Sequence, residues 1–302
     1  MSAIQLTDSG LETWLVFQRG IELLDFAAFP LLGDDRGREL LAEYFRDHLC
    51  IAAQATAGFV LETPTWRASA EWGARLGYDV AALDRVNRDA VDFVRSLGEE
   101  FPTVETTVSG NLGPRGDGYH PDHLLSPDDA SSYHQTQIES FAAAGVDRVT
   151  MLTATHAGEA IGVVHAAVAV DLPVVIAFTV ETDGRLPVGQ SLDEAIIEVD
   201  AATDGAAHFF GINCAHPEHF ASALDGNPTA IGRLGLLRAN ASRLSHAALN
   251  EASELDDGDP AELGGQYEQL VRDHPHLQVL GGCCGTDARH IEAIARACLL
   301  PR

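Results

Sequence analysis

Eight short apolar runs, each bounded by turn residues, alternate with stretches in which Ala, Leu, Val and Ile recur at helical spacing. The runs are IQLTD from Ile4, GFVLET from Gly58, ETTVSGN from Glu105, DRVTMLT from Asp147, PVVIAFTV from Pro173, HFFGINC from His208, AIGRLGLLRAN from Ala230 and LQVLGGCC from Leu277. The intervening segments, such as LLAEYFRDHLCIAAQA, DEAIIEVDAAT and TDARHIEAIARACLL, are mostly long enough for a helix. Near-continuous apolar runs suit parallel strands buried on both faces. Eight β-then-α units in 302 residues predict an α/β chain folded as a (β/α)8 TIM barrel rather than an open doubly wound sheet. With no linker or low-complexity tract, residues 1–302 are expected to form one barrel domain. The polar stretch NEASELDDGDPAELGG from Asn250 reads as a solvated insertion between the last two strands.

The charge excludes several partners. Acidic residues number 45 against 19 basic ones, all arginine, for a formal charge of -26. Such a surface repels nucleic acid and anionic lipid. It reads as a solubilising surface, with which a homo-oligomer is compatible. No apolar run reaches the length of a membrane span, and MSAIQLTDSG has neither a basic nor an apolar leader region, so a cytoplasmic protein is expected. Five cysteines, an odd number, argue against a disulfide framework and for reduced thiols.

In a barrel of this kind, chemistry sits where strands end and βα loops begin. Cys214 ends the sixth apolar run and Cys283 with Cys284 ends the eighth, which puts all three on one rim. Cys50 and Cys298 fall inside helical patterns and read as small core residues. Neighbouring residues of a strand point to opposite faces, so Cys283 and Cys284 reach one point only if the backbone bends. Gly281, Gly282 and Gly285 permit that bend, and Thr286 offers an N-cap for the last helix. Three thiolates from two strand ends match a zinc set with one open position. Spacing leaves two other readings open: a Cys283–Cys284 disulfide acting as a redox element, and small residues in a crowded barrel mouth.

GINC at Gly211–Cys214 and GGCCG at Gly281–Gly285 resemble the two metal-binding motifs of the homocysteine S-methyltransferase family. Further resemblances run in order along nearly the whole chain: LTDSGLET from Leu6, SGNLGPRGDGY from Ser109, AAAGVD before the fourth strand, DGRLPVGQSLDEAI from Asp183 and RANAS from Arg238. In RANAS the family usually has Tyr-Pro-Asn. The resemblance implies a TIM barrel that moves a methyl group onto the sulfur of a thiol amino acid, homocysteine giving methionine, on a zinc held by Cys214, Cys283 and Cys284. Zinc deprotonates a coordinating thiol and holds it in place, so a sulfonium or quaternary ammonium donor needs only to be positioned in line. Such cations bind over aromatic faces and near carboxylates, for which Trp14, Trp66, Trp72 and Tyr119 are candidates. The barrel pattern leaves no stretch for a cobalamin- or folate-binding region, which implies a member using S-methylmethionine, S-adenosylmethionine or betaine. GNLGPRG is superficially like a phosphate loop, but Pro114 and the absence of a following helical run argue against a dinucleotide site.

The expected small-molecule partners are therefore a thiol acceptor and a methyl donor. At the strand ends, Asp8, Glu62, Asn111, Thr153 and Asn240 are candidate substrate-binding residues. Asp8 is implied by the resemblance. Glu62 follows GFVL, where an unpaired charge is costly to bury. Asn111 and Asn240 orient polar groups or serve as turn residues. One departure stands out. Many family members carry Glu-Thr at the end of strand four, the glutamate holding the substrate amine, and here Leu152 and Thr153 occupy that place. His156 reads as a loop residue and Glu159 as part of the next helix. Amine recognition then falls to Glu62, Thr153 or Thr155, or the acceptor is another thiol or a selenol. A non-catalytic zinc or redox-sensing barrel is the alternative of a different class.

Overall fold

The computed structural model describes residues 4–119, 121, 124–252 and 254–300. Eight strands close into a parallel barrel in sequence order: β1 Gln5–Thr7, β2 Gly58–Glu62, β3 Thr106–Leu112, β4 Arg148–Ala154, β5 Val174–Phe178, β6 Phe209–Asn213, β7 Leu234–Ala239 and β8 Val279–Gly282. Closure is made by β1 on β8, with Gln5 opposite Val279 and Leu6 opposite Leu280. Each strand falls on one of the eight apolar runs, β3 and β4 reaching one residue past theirs to Leu112 and Ala154, and the (β/α)8 barrel expected from them is the observed fold.

Two apolar layers hold it. Inside the barrel Val60, Leu152, Val175, Ala177, Phe209, Leu236 and Val279 pack together. Outside, a larger layer joins strands to helices, including Leu41, Phe45 and Leu49 of the helix Asp35–Ala55 and Ile291 and Ile294 of the helix Ala288–Cys298. Full burial of one such aliphatic side chain contributes about 1.5–3 kcal/mol, so the fold does not depend on any single site.

Helix starts follow local chemistry. Asp34 caps the helix Asp35–Ala55 through the Gly37 N–H, and Ser191 with Glu194 forms a capping box at Leu192–Ala202. The β6–β7 crossover breaks the pattern of long helices. Its HPEHFASALDGNPTAIG stretch yields only short helical pieces: Pro217–Phe220 and Pro228–Ile231, each opened by a proline at its first position, with the 3-10 helix Ala221–Asp225 between them.

Three local expectations are corrected. Cys50 is exposed, because the buried face of its helix runs through Leu41, Phe45, His48, Leu49 and Ala52; Cys298 does pack partly buried against the core. The cap of the last helix is Asp287, which accepts from the Arg289 N–H, while the Thr286 hydroxyl donates to the Cys283 carbonyl at 2.7 Å. The segment from Asn250 is not simply a solvated insertion. Glu254, Leu255 and Asp256 line the cavity described below, and Pro260–Asp273 forms a helix that buries Leu263 and Tyr267. No helix among the described residues is long and apolar enough to cross a membrane.

Candidate active site

A cavity of about 540 Å³ opens at the C-terminal rim, lined by the ends of β1, β2, β3, β4, β6, β7 and β8. The three rim cysteines meet on its wall, with their sulfur atoms all within 4.8 Å of one another. Cys214 and Cys283, 69 residues apart with Cα atoms 5.4 Å apart, are joined as a disulfide. Cys284 is free. The sulfur pairing therefore runs across the rim, not between the adjacent cysteines.

The backbone is bent to allow this convergence. Cys214 has φ 55° and Gly285 φ 80°, the latter a conformation that glycine adopts without strain. Thr153 is also left-handed, at φ 66°, which is costly for a β-branched residue. Asn213 holds it there: the Thr153 N–H donates to Asn213 Oδ1 at 2.8 Å, and Asn213 Nδ2 donates back to Thr153 Oγ1 at 2.9 Å.

Each sulfur also has a polar neighbour. Thr153 Oγ1 donates to Cys214 Sγ at 3.8 Å, Asn213 Nδ2 to Cys283 Sγ at 3.9 Å, and the Tyr119 hydroxyl lies 3.7 Å from Cys284 Sγ. The Tyr119 ring stacks on His246, 4.0 Å between centroids, and His246 Nε2 donates to the Cys214 carbonyl at 2.6 Å. Burial pushes the Cys284 thiol up to about 11. A thiol in such surroundings ionises readily only beside a cation.

Asp8, Glu62, Asn111 and Thr153 all line the cavity. Asn240 is buried next to the rim, its N–H bonded to the Ala215 carbonyl, but is not part of the lining. Asp8 is already engaged: Arg238 Nη1 lies 2.8 Å from Oδ1, and the Tyr44 hydroxyl donates to Oδ2 at 3.1 Å. Glu62 is less satisfied. Its Oε1 stands 3.9 Å from Arg148 Nη2, and burial raises its pKa above the usual carboxylate value.

Of the aromatic candidates, Trp66 and Tyr119 line the cavity. Trp14 is buried in the core, and Trp72 stacks against Arg67 in a neighbouring cleft. Glu159 is in the helix Ala157–Val168 and His156 caps it; Glu159 accepts from His134 at 2.9 Å and from the Arg115 N–H at 2.7 Å, so its carboxylate has a structural role.

Sequence reasoning did not single out Arg238, Glu12 or Asn213. Arg238 carried the signal that drew attention to Glu62, a charge inside an apolar strand. Glu12 lines the cavity on a short helical turn after β1, and burial, with the charge of Asp8 adding to it, pushes it up to about 7. Asn213 stood beside Cys214 in GINC, where polarity alone gave no role.

A closed (β/α)8 barrel with a thiol cluster on its C-terminal rim is a recognisable class of enzyme scaffold. The sequence matches the profile of the homocysteine S-methyltransferase family over residues 6–298, and the chain belongs to that family of methyltransferases. Its structure is similar to the homocysteine methyltransferase MmuM from Escherichia coli at 23% sequence identity. The oxidized form superposes with a TM-score of 0.77 over 96% of this chain and 94% of that one. The metallated form gives 0.76 over 97% and 96%. The apo form gives 0.69 over 98% and 96%.

Proposed function

We propose that the chain is a zinc-dependent S-methyltransferase that moves a methyl group from a cationic donor to the sulfur of homocysteine, giving methionine. The observation that carries this reading is the convergence of Cys214, Cys283 and Cys284 within 4.8 Å on a cavity wall. In the reduced chain the donor set fits a zinc: three sulfurs, each with its own polar neighbour, leave one side turned to the cavity. A zinc bound there supplies the positive charge that keeps an acceptor thiol ionised near neutral pH.

The chain's own residues then position the reactants. Thr153, Asn213 and Tyr119 hold the cysteines in place. Trp66 and Tyr119 offer aromatic faces to a cation. Seven carboxylates line the cavity against two arginines, one of which, Arg238, is paired with Asp8. That excess favours a sulfonium or quaternary ammonium donor over an anionic, folate-like one. With the donor in line, the acceptor sulfur forms a bond to the methyl carbon as the bond to the donor's sulfur or nitrogen breaks. The donor leaves as a neutral thioether or amine, so no acid is needed to protonate it. Alignment supplies much of the acceleration.

The test is zinc analysis of reduced protein, followed by mass spectrometry of reactions pairing homocysteine with S-methylmethionine, S-adenosylmethionine or betaine. About one zinc per chain and methionine from at least one donor are expected. Stoichiometric absence of zinc, or no methionine from any donor, would overturn the reading.

A further inference from the structure

Two buried acceptors in the cavity wall have no partner among the described residues. Glu62 closes β2 and is 3% exposed, and its Oε2 makes no hydrogen bond. Arg148 Nη2, 3.9 Å from Oε1, is beyond hydrogen-bond range. Asn111 lies on β3, two residues past Ser109, which is the register partner of Glu62. Glu62 and Asn111 therefore leave adjacent strands on the same face, and both line the cavity. Asn111 Oδ1 is likewise buried and unpartnered. A buried acceptor left unsatisfied destabilises the chain, and more so when charged. Two on one wall, one of them a carboxylate, call for a ligand group rich in donors and positive in charge.

Asn240 Oδ1 is also buried and unpartnered, but Asn240 lies outside the cavity lining, and the remaining candidate groups at the strand ends are committed elsewhere. Asp8 is held by Arg238 and Tyr44. The Thr153 hydroxyl accepts from Asn213 and faces Cys214. Beside it on β4, Leu152 contributes an apolar side chain to the lining.

We propose that Glu62 and Asn111 form the subsite for the primary ammonium group of the thiol acceptor, so that the enzyme selects an amino thiol over a simple thiol. An ammonium carries three donors and no acceptor, which complements a carboxylate oxygen and an amide oxygen together. This rests on the methyl-transfer reading above and adds which part of the acceptor is selected.

The test is calorimetric titration of the zinc-loaded full chain, without methyl donor, using L-homocysteine and 4-mercaptobutanoate, which differ only in the amino group. Leaving the methyl donor out keeps any amino group of its own from occupying the subsite. Wild type is expected to bind homocysteine about 10- to 100-fold more tightly, the range of a hydrogen bond to a charged group. Glu62→Gln should bring that ratio to within about 3-fold of one, and Asn111→Ala should lower it, with zinc content and circular dichroism unchanged. Should Glu62→Gln fail to fold, Asn111→Ala decides. A wild-type ratio near one, or variants that lose both thiols equally, overturns the subsite alone. Failure of wild type to bind either thiol overturns the methyl-transfer reading and the subsite with it.

Discussion

Arg238 Nη1 lies 2.8 Å from Oδ1 of Asp8, which joins the last residues of β7 to the exit of β1 in a buried ion pair. The same guanidinium donates from Nε to the Gly282 carbonyl and from Nη2 to the Ser9 carbonyl, each at 3.0 Å. One side chain thus ties together the exits of β1, β7 and β8, and it neutralises the carboxylate that the family resemblance marks for substrate contact. Removing one partner of a buried pair costs about 3–5 kcal/mol, because the other charge is left buried and alone. Arg238→Met is therefore expected to lose stability of about that size in urea unfolding. A loss under about 1 kcal/mol would show that water or a relaxed loop replaces the guanidinium.

The metal site is separable from the fold. Cys283→Ser removes one of three clustered sulfurs from a barrel whose two apolar layers do not involve it. Zinc content and methyl transfer should fall together, while circular dichroism stays like wild type. Removing zinc from wild type with a chelator should have the same effect. Global unfolding in either case would assign the metal a structural role.

The strand pattern was legible because each parallel strand is buried on both faces, and β4, buried at all seven positions, is the clearest instance. The rim location of Cys214, Cys283 and Cys284 followed from the same strand ends. Three things were not legible. The pairing of Asp8 with Arg238 depends on two residues about 230 positions apart whose contact no local pattern encodes. Asp287 caps the last helix in place of Thr286 because the turn after Cys284 spends the threonine hydroxyl on the Cys283 carbonyl. The left-handed backbone of Thr153 and Cys214 depends on Asn213 and the barrel closure around it, since neither residue favours that conformation alone.

Asp287 also makes a pH prediction. Burial opposes its charge, but hydrogen bonds from His290, Arg289 and Gln18 outweigh that and hold its carboxyl far below the usual value. A depressed carboxyl contributes stability that is present above the unfolded pKa, about 3.9, and is lost as pH falls toward the folded one. Asp287→Asn should cost about 1–2 kcal/mol at pH 7 as a lost charged cap. The gap to wild type should narrow below about pH 4. A gap constant down to pH 3 would mean the carboxylate charge does not matter.

Glu12 runs the other way. Its pKa is raised from 4.5 to about 7, first by burial. Between those values the folded chain holds a proton that the unfolded chain has released, so this group's contribution to stability falls as pH rises through the window. Glu12→Gln removes the effect. Chemical unfolding at pH 5 and pH 8 should therefore show the variant gaining on wild type at the higher pH. An unchanged difference would place the Glu12 carboxyl in solvent.

The turn after β1 and the turn after β8 pass too close for side chains between them. A Cβ built on Gly10 would collide with the Cys283 carbonyl oxygen and lie 2.5 Å from Thr13 Oγ1, and both neighbours are tied into the site. Thr13 Oγ1 also accepts from the Gly285 N–H at 3.1 Å, so displacing it moves the cysteine turn itself. Gly10→Ala is thus expected to weaken zinc binding and to destabilise the chain by about 1–3 kcal/mol, the usual cost of overpacking. Gly265 offers the matched control. It lies in the helix Pro260–Asp273 with nothing within 4 Å of its would-be Cβ, so Gly265→Ala should stabilise by about 0.4–1 kcal/mol and leave zinc content unchanged. Equal zinc content in the two variants would show that the β8 turn tolerates a shift at β1, and that the cysteines are positioned by β6 and β8 alone.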